Sequence, residues 1–381
     1  MKVLYIHESC LHGIGGSSLG VKKQYSCIKS ICIEKGYTFK SLTLDENTLS
    51  NTDIKKYKTK KNDILARLYG HSNYFYFVWK KLKNEMRMFD IVILGRSRLG
   101  FIAKDVKKKK YNCKVFSFFE NIEFDYAKVY FSENIGIIRY ILTIIERFVV
   151  KRDENACVKY SDELIMLSER DKNKVGYLYG DHEKTCHIIP VCLEKTIDLK
   201  KVSRNGTIAF IGSLYSSANI KSLNWFIDNV WKCFYQKTEI EFIIAGNNPP
   251  NHLRKAIKQF QNIILIENFG EVIDIIPKNA LMVAPIIEGA GMKVKVAETL
   301  SMGLPIVGSD EALVGYEEVL NKQGIYRANT TLQYKDVIDE YIKSFAHIKE
   351  EDIIQKQELF KEFYSYERAK KCLEMLLHEA V

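Results

Sequence analysis

Residues 283–308 read VAPIIEGAGMKVKVAETLSMGLPIVG, and this stretch decides the predicted fold. A short apolar run enters a loop that contains Gly289 and Gly291, and small and apolar residues at helical spacing follow. The segment Gly303-Leu-Pro305 ends this helix before a second apolar run. Strand, glycine loop, helix and strand in this order predict a βα unit of a mainly parallel sheet.

Units of the same kind run along the whole chain in two series. Strands are predicted at residues 3–7, 38–44, 91–94, 115–119, 164–167 and 187–191, and then at 208–211, 241–245, 263–267, 281–284 and 306–308. A polar stretch at 192–206 separates the series, and 381 residues are too many for one ordinary core. We therefore predict an α/β protein of two Rossmann-like domains, at residues 1–195 and 203–355, with a terminal helix at 356–381 that packs back on the first domain.

The excess of positive charge lies in the first half of the chain. The protein has 57 Lys and Arg against 47 Asp and Glu, and residues 1–195 hold 35 of these basic and 23 of these acidic residues. Nine scattered cysteines without a Cys-x-x-Cys pair indicate reduced thiols. The N-terminal apolar run is too short for a signal peptide, and no uncharged apolar run has the length of a membrane span. We expect a cytoplasmic protein.

The glycine loop and the helix after it form a candidate site for a diphosphate. Gly289 and Gly291 let backbone N–H groups approach a ligand closely, and a helix N-terminus attracts anions. Lys293 and Lys295 add two cations there. Glu298 follows one turn further along, where a carboxylate accepts hydrogen bonds from ribose hydroxyls. An ordinary strand, loop and helix with solvated lysines fits the same spacing.

The residues of this segment resemble a known family. The stretch at 289–307 is similar to the donor-binding segment of retaining glycosyltransferases of the GT-B fold, family 4 (group 1), in the branch that builds bacterial polysaccharides. Further similar segments occur in the family's order across nearly the whole chain. They are ENIE at 120–123, SDELIMLSERD at 161–171, IPV at 189–191, IAFIGSL at 208–214, NIKSLNWF at 219–226, IIAGN at 243–247, FGEV at 269–272 and YSYE at 364–367.

The resemblance implies a fold and an activity. In the GT-B fold, two Rossmann-like domains face each other across a cleft, and the C-terminal helix crosses back to the N-terminal domain. The implied activity is transfer of a sugar (hexosyltransferase type) from a nucleotide-sugar, such as a UDP- or GDP-sugar, to a glycan acceptor, with retention of anomeric configuration. Cell-surface polysaccharide synthesis, of capsule or O-antigen, is the implied context. No cofactor or metal is expected, and the sequence contains no Asp-x-Asp triplet.

Without a metal, fixed positive charge and backbone N–H groups must stabilise the leaving diphosphate. The candidate catalytic residues are Lys293, Lys295, Glu298 and Glu120. The candidate donor-binding residues are Gly212, Ser213, Gly246, Glu271, Val272, Gly289, Ala290, Gly291 and Met292, together with Lys293, Lys295 and Glu298.

Three positions depart from the family pattern. The loop Gly212-Ser-Leu lacks the arginine and lysine of many relatives, which shifts the phosphate role towards Lys293 and Lys295. The first of the family's two glutamates falls on Ala290 here, and Glu288 is two positions out of register. Glu120 stands where relatives have histidine. Contact with the transferred sugar by Glu288 or by backbone groups of the loop therefore stays open.

A second glycine-rich loop follows the first predicted strand. The segment His12-Gly-Ile-Gly-Gly-Ser-Ser18 fits a dinucleotide loop, a tight turn or a sugar-binding loop. Because no acidic residue stands at the spacing expected for a ribose partner, we reject a nicotinamide site. Candidate acceptor-binding residues are Gly15, Gly16, Arg96 and Asn121. A surface ion pair is the alternative for Arg96.

The basic residues of the first half predict a partner. Lysine clusters at 55–61 and 104–110, with aromatic residues at 67–87, fit nucleic acid or an anionic membrane surface. We favour the membrane, and exclude nucleic acid, because acceptors of this family are often lipid-linked. The protein is thus expected to associate peripherally with the inner face of the plasma membrane. Residues 135–152 form either a membrane-bound or a buried helix.

Two other functions compete with glycosyl transfer. A nucleotide-sugar epimerase of GT-B architecture needs clustered acid and base side chains, and the sequence offers Glu120, Glu123 and scattered histidines. A non-catalytic subunit that binds sugar nucleotides fits the missing arginine, lysine and first glutamate of the pattern.

Overall fold

The structure is a computed structural model that describes residues 1–11, 16–109, 111–131, 137–180, 186–234, 236 and 240–379. The chain divides into two compact units. Unit 1 comprises Met1–Pro190 and Ala369–Val381, and unit 2 comprises Val191–Arg368.

Unit 1 is built on a parallel six-stranded sheet with the strand order β2-β1-β3-β4-β5-β6. Its strands are β1 (Lys2–Ile6), β2 (Thr38–Leu42), β3 (Ile91–Leu94), β4 (Lys114–Phe119), β5 (Glu163–Met166) and β6 (Cys186–Ile188). The helices between them are α1 (Gly16–Glu34), α2 (Lys60–Leu68), α3 (Phe75–Leu82), α4 (Gly100–Lys108), α5 (Glu123–Phe131), α6 (Ile137–Tyr160) and α7 (Glu169–Tyr179). Every residue of β3 is apolar and buried, as expected for a parallel strand covered on both faces.

Unit 2 repeats this architecture with the strand order β12-β11-β10-β7-β8-β9, again parallel. Its strands are β7 (Gly206–Ile211), β8 (Ile240–Gly246), β9 (Ile263–Glu267), β10 (Leu281–Ala284), β11 (Ile306–Gly308) and β12 (Ile325–Arg327). Its helices are α8 (Ser217–Asn229), α9 (Asn251–Ile257), α10 (Val294–Ser301), α11 (Thr331–Ser344) and α12 (Glu350–Phe363). Central β7 is buried along its whole length.

The predicted α/β class with two Rossmann-like domains is confirmed. Each of the eleven predicted strands is present with small shifts at its ends, and the short edge strand β12 was not predicted. Only three residues long, β12 includes the exposed Arg327 and lacks the apolar run that marks the other strands.

The C-terminal segment divides between the units. Helix α12 packs against α10 of unit 2, and Ile353 contacts Gly303 at the end of α10. The last helix, α13 (Tyr366–Glu379), belongs to unit 1 from Ala369 onwards. It is attached there by the ion pairs Lys370–Glu34 (2.6 Å) and Lys35–Glu374 (2.5 Å). In place of the single helix predicted at 356–381, the chain forms α12, which packs in unit 2, and α13, which joins unit 1 from Ala369 onwards.

Within the described ranges, no helix combines the length and the apolar character needed to cross a membrane.

Candidate functional site

The donor candidates of unit 2 meet at one edge of its sheet. Strand β7 pairs with β8 on one side and with β10 on the other. Because all three strands are parallel, the loops at their carboxyl ends lie side by side, where open α/β sheets bind ligands. These loops carry Gly212 and Ser213, Gly246, and the 289–292 segment.

Two glycines allow the loops after β7 and β8 to touch. A Cβ atom on Gly246 would lie 1.9 Å from the carbonyl oxygen of Gly212, so only glycine fits there. A Cβ on Gly212 would lie 3.2 Å from Lys295 Nζ and also 3.2 Å from Asn219 Nδ2. Next to Gly212, the buried Oγ of Ser213 has no hydrogen-bond partner among the described residues. The site thus offers glycine backbone that no side chain covers and the Ser213 hydroxyl, which lacks a hydrogen-bond partner among the described residues.

Lys295 places a cation at this edge. Its Nζ donates a hydrogen bond to Asn219 Oδ1 (3.2 Å) and lies 4.0 Å from the ring centroid of Phe210. Burial lowers the pKa of Lys295 to about 7, against the opposing effect of Glu298 and with the help of Lys293. A desolvated ammonium held by an amide and an aromatic ring gains by meeting an anion.

Lys293 has a different environment from Lys295. Its Nζ pairs with Glu311 Oε1 (2.9 Å) and donates to the carbonyl oxygens of Gly291 (2.7 Å) and Ala290 (3.2 Å). These contacts brace the glycine loop from within. The sequence pattern does not distinguish the two lysines, whereas in the structure Lys293 stabilises the glycine loop.

Tyr316 positions the start of α10 and was missed by sequence reasoning. Its buried hydroxyl donates to the carbonyl of Lys293 (2.9 Å) and accepts from the N–H of Ala297 (3.2 Å). The contact spans about twenty residues and belongs to no motif, so no sequence signal marks it.

The remaining donor candidates surround these groups. Met292 is buried against Gly315, which leaves its backbone rather than its side chain as a ligand group. Glu271 is exposed just before the short turn that contains Val272. Glu288 pairs with Lys221 (2.6 Å) at the surface. Asn219 lies in the first turn of α8, which begins at Ser217, and its amide donates to Ser213 O (2.9 Å).

The corresponding edge of unit 1 is densely charged. Strands β1, β3 and β4 are neighbours, and their carboxyl ends carry Glu8, Arg96 and Glu120. Three arginines and three glutamates alternate there in one continuous chain of ion pairs with N–O distances of 2.5–3.3 Å. In order, the chain runs Glu8, Arg96, Glu123, Arg98, Glu146 and Arg67.

Glu120 lies beside this chain. Burial raises its pKa to about 8, although Arg96 lowers it, and the charges of Glu8 and Glu123 add to the increase. Nearby His7 is fully buried, and its Nδ1 accepts the N–H of Ser9 (3.0 Å). Burial lowers the pKa of His7 to about 4, so its imidazole is neutral at pH 7.

The acceptor candidates fall into three groups. Arg96 forms part of the ion-pair chain, and Asn121 is partly buried directly after Glu120. Gly16 begins α1, whereas Gly15 and His12 lie outside the described residues. The described residues hold no group of three or more His, Cys, Asp or Glu side chains placed for a metal ion.

Comparison with known proteins adds a family match and one related sequence. Residues 205–347, within unit 2, match the family model of glycosyl transferases group 1. The related sequence is an uncharacterised 44.6 kDa protein in the cps region of Klebsiella pneumoniae, 25% identical over 295 residues, which are 70% of this chain and 74% of the relative.

Solved structures resemble the chain over its whole length. A glycosyltransferase from Rickettsia africae gives a TM-score of 0.67 at 13% identity and covers 100% of this chain and 98% of its own. Anabaena HepE in complex with UDP-glucose gives 0.61 at 12% identity, with both chains covered to 100%. The chain therefore has the two Rossmann-like domains of GT-B glycosyltransferases, and residues 205–347 match the model of the glycosyl transferases group 1 family.

Proposed function

We propose that this protein is a retaining glycosyltransferase of family 4 that moves a sugar from a nucleotide-sugar to a glycan acceptor without a metal ion. One observation carries the proposal. Lys295, with a pKa of about 7, faces the open glycine backbone at the carboxyl edge of the unit 2 sheet, inside the region that matches glycosyl transferases group 1. The complex of HepE with UDP-glucose supports a nucleotide-sugar as donor.

The residues of unit 2 suggest a division of labour. Lys295 supplies the positive charge that meets the diphosphate as the bond to the sugar breaks, a contribution that grows in a desolvated site. Ser213 Oγ and the backbone at Gly212 and Gly289 supply further hydrogen-bonding groups. Glu298, one helical turn beyond Lys295, accepts hydrogen bonds from the ribose hydroxyls. Lys293 holds the loop in shape through Glu311.

The acceptor belongs to unit 1 in this proposal. Glu120 and Arg96 at the sheet edge interact with the transferred sugar and the acceptor, and the raised pKa of Glu120 lets its carboxyl group donate a proton near neutral pH. The cps-region relative supports a cell-surface polysaccharide as product, and we propose a lipid-linked glycan as acceptor.

The surface of unit 1 supports association with an anionic membrane. Helix α6 exposes Tyr140 (69%), Ile144 (52%) and Phe148 (68%), and the neighbouring α2 exposes Ile64 (61%) and Leu68 (77%). Arg67 and Glu146 join the two helices by a 2.7 Å ion pair. We call these five residues the α2/α6 apolar face. Exposed apolar side chains on two neighbouring helices suit a membrane interface.

The basic residues around this face suggest an anionic lipid as the partner. Lys60 and Lys61 on α2 and Lys151 and Arg152 on α6 are exposed. The predicted cluster at 104–110 contributes less, because Lys107 pairs with Asp162 and Lys109 with Asp105. Lys110 lies outside the described residues.

Flotation with vesicles that contain phosphatidylglycerol tests the membrane proposal. The double variant Ile144→Ser with Phe148→Ser should bind at least about a hundredfold more weakly, since each buried apolar side chain contributes about 1.5–3 kcal/mol. Ile354→Ser, at an exposed site of unit 2, serves as the control. Equal flotation of both variants and the wild type would contradict a role for the α2/α6 apolar face.

A donor panel tests the activity itself. The purified chain is heated with individual UDP-, GDP- and other nucleotide-sugars, and slow donor hydrolysis is measured in parallel. The true donor should raise the melting temperature, because it binds only the folded state, and should be hydrolysed with release of the nucleoside diphosphate. Epimerised donor without hydrolysis would favour an epimerase, and protection without turnover a non-catalytic subunit.

A further inference from the structure

A fully buried carboxylate, Glu154 on α6, lies at the centre of a hydrogen-bond cluster in unit 1. Its Oε1 accepts from the hydroxyl of Ser97 (3.1 Å) and from the N–H of Glu123 (2.8 Å). Its Oε2 accepts from the hydroxyl of Tyr179 (2.7 Å) and from the N–H of Phe124 (3.2 Å). The carboxylate therefore binds the loop after β3, the start of α5 and the end of α7 at the same time.

In the loop after β3, helix α6 holds the residue next to Arg96. Ser97 directly follows Arg96 and is fully buried. Its hydroxyl donates to Glu154, and its carbonyl oxygen accepts from Cys157 Sγ (3.2 Å), one turn further along α6. A charged acceptor makes the first of these the stronger bond. Because both groups of Ser97 are bound to the same helix, α6 fixes the backbone next to Arg96.

In the loop after β4, Glu154 caps the N-terminus of α5 from a different helix. Helix α5 begins at Glu123, and the N–H groups of Glu123 and Phe124 donate to the carboxylate. These N–H groups have no partner within their own helix, and a negative charge at this end of a helix is favourable. Glu120 lies directly after β4 and three residues before Glu123. The backbone at Glu120 is thus held from both sides.

The side chain of Glu123 joins the same two loops a second time. Its carboxylate pairs with Arg96 (2.8 Å) and with Arg98 (2.7 Å) of the loop after β3. Glu154 therefore binds the backbone of the residue whose side chain holds both arginines. Loss of the acceptor at Glu154 should displace Glu123, and with it the loop of Glu120 and the middle of the ion-pair chain.

From these contacts we infer that Glu154 is a positioning residue, which fixes Glu120 and Arg96 relative to each other. Because Glu154 is fully buried, it acts through the two loops and not on a substrate. Burial raises the pKa of Glu154 to about 7, and the hydrogen bonds from Tyr179 and from the two N–H groups oppose this increase by favouring the ionised form. The inference rests on the proposed function, which assigns the transferred sugar and the acceptor to Glu120 and Arg96.

NMR spectroscopy of the full chain with isotope-labelled glutamate carboxyl groups tests this inference without a ligand. The signal of Glu120 is identified by its loss in Glu120→Gln, and its pKa is read from its titration with pH. In Glu154→Gln, an amide group replaces an oxygen that two donors need as acceptor, so the start of α5 should shift and water should reach Glu120. The pKa of Glu120 should then fall from about 8 to about 7 or lower.

Two further variants complete the titration. Tyr179→Phe removes one of the donors and keeps the charge of Glu154, so it should lower the pKa of Glu120 in the same direction by a smaller amount. Asp153→Asn is the matched control, because Asp153 is also buried and is the neighbour of Glu154 on α6. It accepts from the N–H of Ser72 (2.8 Å) instead, so its replacement removes a similar charge and should leave the pKa of Glu120 at the wild-type value.

Turnover provides a second readout. It is measured with the nucleotide-sugar that is hydrolysed fastest in the donor panel. Glu154→Gln should lower kcat by about tenfold to a hundredfold, the usual cost of a misplaced catalytic group. The KM for the donor should not change, because the donor is assigned to unit 2. Asp153→Asn should retain the wild-type kcat and KM.

The outcomes separate positioning from a merely structural role. A lower melting temperature of Glu154→Gln with an unchanged pKa of Glu120, in this variant and in Tyr179→Phe, would overturn the inference. An equal fall of this pKa in Asp153→Asn would also overturn it, since the effect would then follow the lost charge. Full turnover by Glu120→Gln would instead remove Glu120 from the proposed function, and the titration of Glu120 still decides whether Glu154 positions it.

Discussion

Each unit has a titratable group with a pKa near neutrality at the carboxyl edge of its sheet, Lys295 in unit 2 and Glu120 in unit 1, and the two are of opposite kind. Burial lowers the pKa of Lys295 in unit 2 to about 7 and raises that of Glu120 in unit 1 to about 8. Lys295 is held by an amide and an aromatic ring, whereas Glu120 lies beside a chain of six alternating charges. The same edge of the same fold thus carries a titrating ammonium group in unit 2 and a titrating carboxyl group in unit 1.

The largest expected effect concerns Lys295 itself. Lys295→Met should lower turnover of the donor by about 10²–10³-fold, the usual cost of removing one preorganised charge or donor from a transition state. Lys322→Met, at an exposed site of unit 2, should retain the wild-type rate. Both rates are measured as nucleoside diphosphate released. A loss of less than threefold in Lys295→Met would refute the assignment of this lysine.

A smaller effect is expected from pH. Above a pKa of about 7, Lys295 loses its proton in the free protein, and a diphosphate binds the ammonium form. Donor affinity should therefore fall as the pH rises from 7 to 9, by up to about tenfold per pH unit. Calorimetry across this range checks the slope, and Lys295→Met should abolish it. A donor affinity of the wild type that stays constant from pH 7 to 9 would contradict the titration of Lys295 in unit 2.

The smallest effects are on stability, and their pH dependence should run in opposite directions in the two units. A lysine with a lowered pKa destabilises the folded state most at low pH. This free-energy cost disappears as the pH rises from 7 towards 10.5, the ordinary pKa of lysine. A glutamate with a raised pKa has no such cost below its ordinary value of 4.5, and the cost grows up to pH 8. Lys295→Met should thus raise the melting temperature more at pH 6 than at pH 9, and Glu120→Gln more at pH 8 than at pH 5.

Differential scanning calorimetry at these pH values measures both differences. The expected shifts are a few degrees, since about 1 kcal/mol moves the melting temperature by roughly 2–4 °C in domains of this size. Two variants with the same direction of pH dependence would show that the two groups do not differ in the way proposed.

Much of the fold could be predicted from the sequence because apolar runs, and the glycines that mark loops between them, are local signals. The positions of β7, β10 and β11 followed from their continuous apolar runs, and the donor loop followed from its glycines. Strand β12 was missed because it pairs only at the sheet edge and has one buried residue among three. Residue types alone also indicated Lys295 and Glu298, and the family resemblance indicated Gly212 and Gly246.

The roles of individual side chains were less accessible. The spacing of Lys293 and Lys295 gives no reason to assign them different roles. In the structure, however, Glu311, eighteen positions beyond Lys293, pairs with Lys293. Arg96 had two candidate roles, acceptor binding and a surface ion pair. The structure places it in a chain that is largely buried and also at the wall of a cavity, so both kinds of contact are available to one residue.

The sequence by itself determined the α/β class, the two series of strands and the concentration of positive charge in the first half. These depend on local patterns of polarity and on residue counts, which need no folded chain. Only the tertiary structure decided which charges neutralise one another, which lysine is desolvated and which polar atoms are left without partners. Those properties depend on side chains that are distant in sequence, such as Glu8, Glu123 and Glu146, meeting at a sheet edge from which water is partly excluded.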